Sequence, residues 1–175
     1  MKKRLSLIQM DVHVNDVEYN YNRVQELLTQ SLSESPDIIV LPETWNTGFH
    51  PSDDLITIAD RNGERTKSLL SAFAKEHKVN IVGGSVAVAK DDLVFNTSYA
   101  YNREGTLVGE YSKMHGFSPA KEDKYFASGT HTTHFELDGI PCSTVICYDI
   151  RFPELVRMAS LPGTELLFVP AQWPT

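Results

Sequence analysis

Ser35-Pro36-Asp37-Ile38-Ile39-Val40-Leu41-Pro42-Glu43 is the stretch that decides the fold class. Its apolar run is unbroken, the pattern of a strand covered on both faces. Upstream, Val17, Tyr21, Val24, Leu28 and Leu32 recur at helical spacing, with Asn15 or Asp16 as N-cap. Ser35-Pro36 ends that helix, and Leu5 to Met10 reads as a strand before it. Downstream, Gly63 to about His77 forms a second amphipathic helix with Leu69, Leu70, Phe73 and Ala74 on one face. Asn80 to Ala89, Leu93 to Tyr101 and Thr106 to Tyr111 are strand-like, the last two joined by turn chemistry at Asn102-Arg103-Glu104-Gly105. The polar stretch Lys113 to Thr132 reads as a long loop, often a functional element. Phe135 to Leu137 and Cys142 to Ile146 flank an Asp138-Gly139 hairpin signal. A helix starts near Phe152-Pro153, and Leu166 to Val169 is the last strand. With no repeat or linker, the pattern predicts one α/β domain over residues 1–175.

The chain of 175 residues is long enough for one domain with a sizeable core. Its 41% apolar and 22% charged residues are those of a folded globular protein. A net charge of -7 argues against general nucleic-acid binding, which needs a basic face to neutralise phosphates. No apolar run is long enough for a bilayer. Met1-Lys2-Lys3-Arg4 is basic, but the segment after it is too short and too polar for a signal peptide. The expectation is a cytoplasmic protein whose two cysteines, Cys142 and Cys147, are free thiols.

Cys147 carries the most chemical information. It follows the apolar Ser143-Thr144-Val145-Ile146 and precedes a helix start. Such a corner can expose a nucleophile and aim backbone N–H groups at an oxyanion. The helix N-terminus and a nearby cation would also lower the thiol's pKa. By position alone a buried inert cysteine is the commoner outcome. Glu43 follows a buried strand, where a carboxylate is well placed for a site, although in isolation a solvated loop or helix-start glutamate is the commoner outcome. Lys113 ends the strand that carries Tyr111, and taken singly it reads as surface. Together the three change the odds, because aligned strand ends can gather a carboxylate, an ammonium and a thiol. Amide hydrolysis needs a nucleophile, a proton shuttle and positive charge for the oxyanion.

Other features carry less. His131 and His134 lack the partners of a zinc pattern. The surroundings of Cys147 are not papain-like, so a Cys147–His115 pair is disfavoured. Cys142 falls inside a strand and reads as packing. Gly83-Gly84 lacks the lysine of a phosphate loop. Trp173 would line a pocket or cover the core.

Leu41-Pro42-Glu43, Tyr111-Ser112-Lys113-Met114-His115 and Cys147-Tyr148-Asp149-Ile150-Arg151-Phe152-Pro153-Glu154 resemble, in order, three signature blocks of the nitrilase superfamily of carbon–nitrogen hydrolases. The third block is the most specific. With Trp45-Asn46-Thr47-Gly48-Phe49, it is most similar to the ω-amidase-like branch, which hydrolyses the terminal amide of a 2-oxo acid. The resemblance implies an α-β-β-α sandwich with Cys147 as nucleophile, Glu43 as general base and Lys113 as the oxyanion's cation. It implies Glu122 as a second, positioning glutamate, and the Tyr148 backbone N–H as a further oxyanion donor. Arg151 would meet a substrate carboxylate or pair with Asp149 or Glu154. No metal or organic cofactor is implied. The implied partner is a small-molecule amide, with neither nucleic acid nor membrane, and the full-length form is a homo-oligomer.

Superfamily chains are longer, so the resemblance also implies a sandwich whose C-terminal part is missing. The expected consequence is an apolar patch near the final strand, Leu166-Leu167-Phe168-Val169. The alternative to an active amidase is a truncated, non-catalytic remnant that keeps the motifs without their geometry.

Overall fold

A computed structural model describes residues 2–49 and 51–173. Strand β1 (Leu5–Leu7) leads into helix α1 (Val17–Ser31) and then β2 (Ile38–Val40), the βαβ unit that the opening pattern predicts. The Asp16 carboxylate caps α1 by accepting from the Tyr19 backbone N–H at 3.1 Å. Tyr21, Val24 and Leu28 form its buried face. Helix α2 (Leu55–Ile58) and β3 (Asp60–Arg61) follow, both too short for a periodicity to announce. Helix α3 (Glu64–His77) begins after Gly63, which sits at φ +68°, and buries Leu70, Phe73 and Ala74.

The strand expected over residues 80–89 is two strands, β4 (Asn80–Val82) and β5 (Val86–Lys90). Gly83-Gly84 breaks them, with Gly84 at φ +60°. Both pair antiparallel with β6 (Leu93–Tyr101), and β7 (Leu107–Ser112) also pairs with β6. Among the described residues, seven strands form this sheet in the order β1-β2-β4-β6-β5-β3, with β7 on β6.

The expected long loop after Lys113 is partly ordered into a 3-10 turn at Ser118–Ala120 and helix α4 (Glu122–Tyr125). A second sheet joins β8 (His134–Leu137), β9 (Ile140–Thr144) and β10 (Leu166–Phe168), in the order β10-β9-β8. Asp138 and Gly139, both at positive φ, make the β8–β9 turn. Between β9 and β10 a 3-10 turn (Cys147–Arg151) leads into helix α5 (Pro153–Ser160).

The layers follow from what each face buries. Helices α1 and α3 pack on one face of the large sheet through Leu28, Ile39, Leu70 and Ile81. Its other face meets the small sheet through Ile38, Val40, Phe135 and Phe168. Leu155 and Ala159 of α5 cover the small sheet's outer side against Val145 and Leu167. This is the expected α-β-β-α sandwich. An apolar patch was expected near the last strand; on the strand itself Phe168 is buried and Leu166 and Leu167 are half-buried. On either side of that strand in sequence, Leu161 is 66% and Trp173 65% exposed. Leu166 and Leu167 stay covered because each packs into one of the two clusters that flank the small sheet.

Candidate active site

Glu43 leaves β2 in a loop stitched to the break between β4 and β5. The Ser85 N–H donates to the Pro42 carbonyl at 3.0 Å, and the Thr44 N–H donates to Ser85 Oγ at 3.0 Å. A side chain at Gly84 would collide with the Pro42 carbonyl oxygen, so the double glycine permits this close approach. Lys113 sits just past β7, fixed by its N–H to the Asn96 carbonyl and by the Gly129 N–H to its own carbonyl, both 2.8 Å. Glu122 opens α4, and its Oε2 accepts from the Phe117 N–H at 2.8 Å.

These three side chains meet in the interior. Lys113 Nζ donates to Glu43 Oε1 at 2.8 Å and to Glu122 Oε1 and Oε2 at 2.9 and 2.7 Å. Glu43 and Glu122 are wholly buried, and Lys113 is 3% exposed. Burial works against the ammonium, but the attraction and hydrogen bonds of the two carboxylates outweigh it and hold Lys113 above its usual pKa. Burial dominates at Glu43 and raises its carboxyl, with Lys113 opposing and Glu122 adding to the rise.

Cys147 stands at φ +47°, an uncommon region for a residue with a side chain. Its conformation is held from both sides, by its own N–H to the Pro170 carbonyl at 2.9 Å and by Asp149. The buried Asp149 carboxylate accepts from the Ile146 N–H at 3.1 Å, Tyr111 Oη at 2.7 Å and the His115 N–H at 2.9 Å. It thereby ties the turn carrying Cys147 to the strand end carrying Lys113. A lowered thiol pKa was the expectation, and the structure reverses it. Burial, reinforced by the negative charge and hydrogen bond of Glu43, pushes Cys147 up to about 12 against the pull of Lys113. Burial and Glu43 thus favour the thiol over the thiolate at this position.

Glu43, Lys113, Glu122 and Cys147 are thus brought together. Tyr148 lies next to them in the turn that carries Cys147, its ring edge-on to Phe117 and Phe152 at 5.1 and 5.5 Å. Arg151 is exposed, and among the described residues it pairs with neither Asp149 nor Glu154. Cys142 is buried in the contact between the sheets, away from the cluster. His115 bonds Asp149 at 2.9 Å and stacks on Phe152 at 3.6 Å, so it is no partner for the thiol.

A family model described as carbon-nitrogen hydrolase matches residues 4–175. The chain belongs to the carbon-nitrogen hydrolase family. It is a nitrilase-superfamily member close to the ω-amidase branch. The chain is 40% identical over 174 residues to the 2-oxoglutaramate amidase of Bacillus subtilis, covering 99% of this chain and 66% of that one. It is 32% identical over 176 residues to an omega-amidase of Xenopus tropicalis, covering 97% and 63% of the two chains. A solved CN-hydrolase superfamily protein of Xanthomonas campestris, with an arsenic adduct in its active site, superposes with a TM-score of 0.85 at 28% identity. That match covers 99% of this chain and 66% of the other. The carbon-nitrogen hydrolase chain thus spans about two thirds of the length of the relatives it matches.

Sequence reasoning missed Asn96 and Gln172. Asn96 Nδ2 donates to Glu43 Oε1 at 3.1 Å and to Glu122 Oε1 at 3.0 Å. The Gln172 backbone N–H donates to Glu43 Oε2 at 3.0 Å. A faint signal existed for Asn96, which opens a polar run, Asn96-Thr97-Ser98, inside strand β6. None existed for Gln172, whose contribution is a backbone N–H.

Proposed function

We propose that this chain, as a single carbon–nitrogen hydrolase domain, hydrolyses a small-molecule amide to a carboxylic acid and ammonia through a thioester on Cys147. The observation that carries this reading is the buried Glu43–Lys113–Glu122 cluster beside the Cys147 thiol. Glu43 takes the thiol proton as sulfur attacks the amide carbonyl, and its raised pKa suits it to that transfer. Lys113 and the Tyr148 backbone N–H hold the tetrahedral oxyanion. Collapse breaks the carbon–nitrogen bond, and Glu43 returns the proton to the leaving nitrogen, which departs as ammonia. Glu43 then takes a proton from water, hydroxide attacks the thioester, and the acid leaves as the thiol is restored. Glu122 fixes the ammonium.

The substrate class is the ω-amide of a 2-oxo dicarboxylic acid, by likeness to the 2-oxoglutaramate amidase. Arg151 receives the far carboxylate, a role consistent with an exposed guanidinium on the nucleophile's own turn. The same reading carries a homo-oligomer in the full-length form and a cytoplasmic location, to be checked by sizing and fractionation. Among the described residues no helix is long and apolar enough to cross a membrane.

The test is ammonia release from 2-oxoglutaramate and from an uncharged amide such as butyramide, with wild-type protein and Arg151→Met. The expected result is turnover of both, with KM for the charged substrate alone raised in the variant. Folded protein that turns over neither would favour the non-catalytic remnant.

A further inference from the structure

The ammonium of Lys113 has three hydrogens, and each faces a carboxylate oxygen: Glu43 Oε1 at 2.8 Å, and Glu122 Oε1 and Oε2 at 2.9 and 2.7 Å. An oxyanion therefore finds no free N–H on Lys113 unless one turns away from its glutamate. At a site this buried, a carboxylate oxygen stripped of its donor would be costly. Hydrogen-bond accounting shows where the compensation lies. Without Lys113, Glu43 Oε2 still accepts from the Gln172 N–H at 3.0 Å, and Glu122 Oε2 from the Phe117 N–H at 2.8 Å. The two Oε1 atoms depend on one group, the side-chain amide of Asn96, at 3.1 and 3.0 Å. The orientation of that amide is settled by chemistry, because reversing it would set Oδ1 against both carboxylates. Oδ1 has no hydrogen-bond partner among the described residues, so the two carboxylates set the amide's direction.

We infer that Asn96 is a positioning residue: it holds Glu43 and Glu122 through their Oε1 atoms, so that Lys113 can turn one N–H to the tetrahedral oxyanion. The inference rests on the assignment of Glu43 as base and Lys113 as oxyanion cation. Asn96 is suited to the part. It is 1% exposed on β6, and its carbonyl accepts the Lys113 backbone N–H at 2.8 Å, so ammonium and amide are carried on bonded segments.

A donor to the ionised form of Glu43 keeps its pKa down, so removing Asn96 should move that pKa up. The charged and titratable groups facing Glu43 are Lys113 after β7, Glu122 on α4 and Cys147 on the nucleophile turn. Of these, Glu122 also accepts from Asn96, so a change at Asn96 acts on Glu43 both directly and through Glu122.

The experiment measures kcat, KM and the pH profile of kcat/KM for Asn96→Ala and Asn96→Ser in active protein. Ser98→Ala serves as control, since Ser98 is buried on the same strand and its Oγ has no hydrogen-bond partner among the described residues. For Asn96→Ala, kcat should fall roughly 10- to 100-fold, the loss of hydrogen bonds to charged groups, with KM nearly unchanged. Its acid limb should move to higher pH. Asn96→Ser, with one hydroxyl hydrogen, should lie between Ala and wild type, and Ser98→Ala should keep the wild-type limb. Wild-type kcat and an unmoved acid limb in Asn96→Ala would overturn the inference. If that variant does not fold, NMR of the unaltered protein decides: the Asn96 side-chain amide should shift with the midpoint of the acid limb, and a flat response would overturn it. Glu43→Gln separates the two levels. An inactive Glu43→Gln beside an unaffected Asn96→Ala removes only the role of Asn96, whereas a fully active Glu43→Gln removes the base assignment.

Discussion

Strand β2 carries a charge cluster at each end, and the two behave in opposite ways. Before it, Asp37 and Asp138 share Arg103 and Lys3, with Arg103 Nη2 at 2.9 and 2.8 Å from the two carboxylates. Beyond it, Glu43 and Glu122 share Lys113 at similar distances. The outer side chains are 15–32% exposed, the inner ones 0–2%. At the outer end hydrogen bonds prevail: the Arg4 backbone N–H is the main cause holding Asp37 below its usual range, and the Arg103 guanidinium does the same for Asp138. At the inner end desolvation prevails and Glu43 rises. Two carboxylates around a cation thus become a tie between surface segments where water reaches them. Where water is excluded, they include a carboxylate raised toward the range of a general base.

The largest test of that contrast is chemical. Cys147→Ala should reduce amide hydrolysis by about 10⁴-fold or more, as removal of a nucleophile does. Cys142→Ala, at the contact between the sheets, should keep most of it. Mass spectrometry with a slow substrate should place the acyl adduct on the Cys147 peptide, and an adduct on Cys142 would exclude the assignment. Next in size, Glu43→Gln should lower kcat roughly 10²- to 10⁴-fold with the chain still folded. Asp37→Asn, at the other end of β2, should leave kcat unaltered. Equal losses in both would erase the functional distinction between the clusters.

Stability should separate the ends as well. Lys113→Met leaves two buried carboxylates without their cation and should destabilise by about 3–5 kcal/mol in denaturant melts. Arg103→Met, in the wetter network, should cost about 1 kcal/mol or less. A larger loss at Arg103 would mean that the outer network anchors the fold.

The smallest effect concerns pH, and its sign differs between the ends. Asp37 and Asp138 are depressed, so the stability they contribute is present above about 3.8 and is lost as pH falls below it. Glu43 is raised, so its contribution runs the other way. It favours the folded chain at acid pH and is lost as pH rises from the unfolded value of 4.5 through the folded one. In Asp37→Asn the acid-side loss should shrink, and in Glu43→Gln the small loss on raising pH should vanish. Unchanged pH–stability curves in both variants would contradict the opposed titrations.

The sequence by itself determined the elements whose causes are local. The spacing of Tyr21, Val24 and Leu28, the Asp16 cap, the apolar Ile38–Val40 and the Asp138-Gly139 turn depend on near neighbours, and each was legible in the letters. So were the strand ends that carry Glu43, Lys113 and Cys147, because motif and corner coincide there. The break at Gly83-Gly84 was not legible, since its reason is the Pro42 carbonyl of another strand's loop. Nor was the direction of the Cys147 shift, because cation, carboxylate and burial act together and only their distances decide which prevails. The donors that complete the site were equally hidden. Asn96 reaches Glu43 across 53 positions within the large sheet, and Gln172 reaches it across 129 from beyond the end of the small sheet's last strand, so neither pairing exists before the strands are assembled. Apolar periodicity is a property of successive residues, whereas the satisfaction of a buried carboxylate is a property of whatever the fold brings within 3 Å of it.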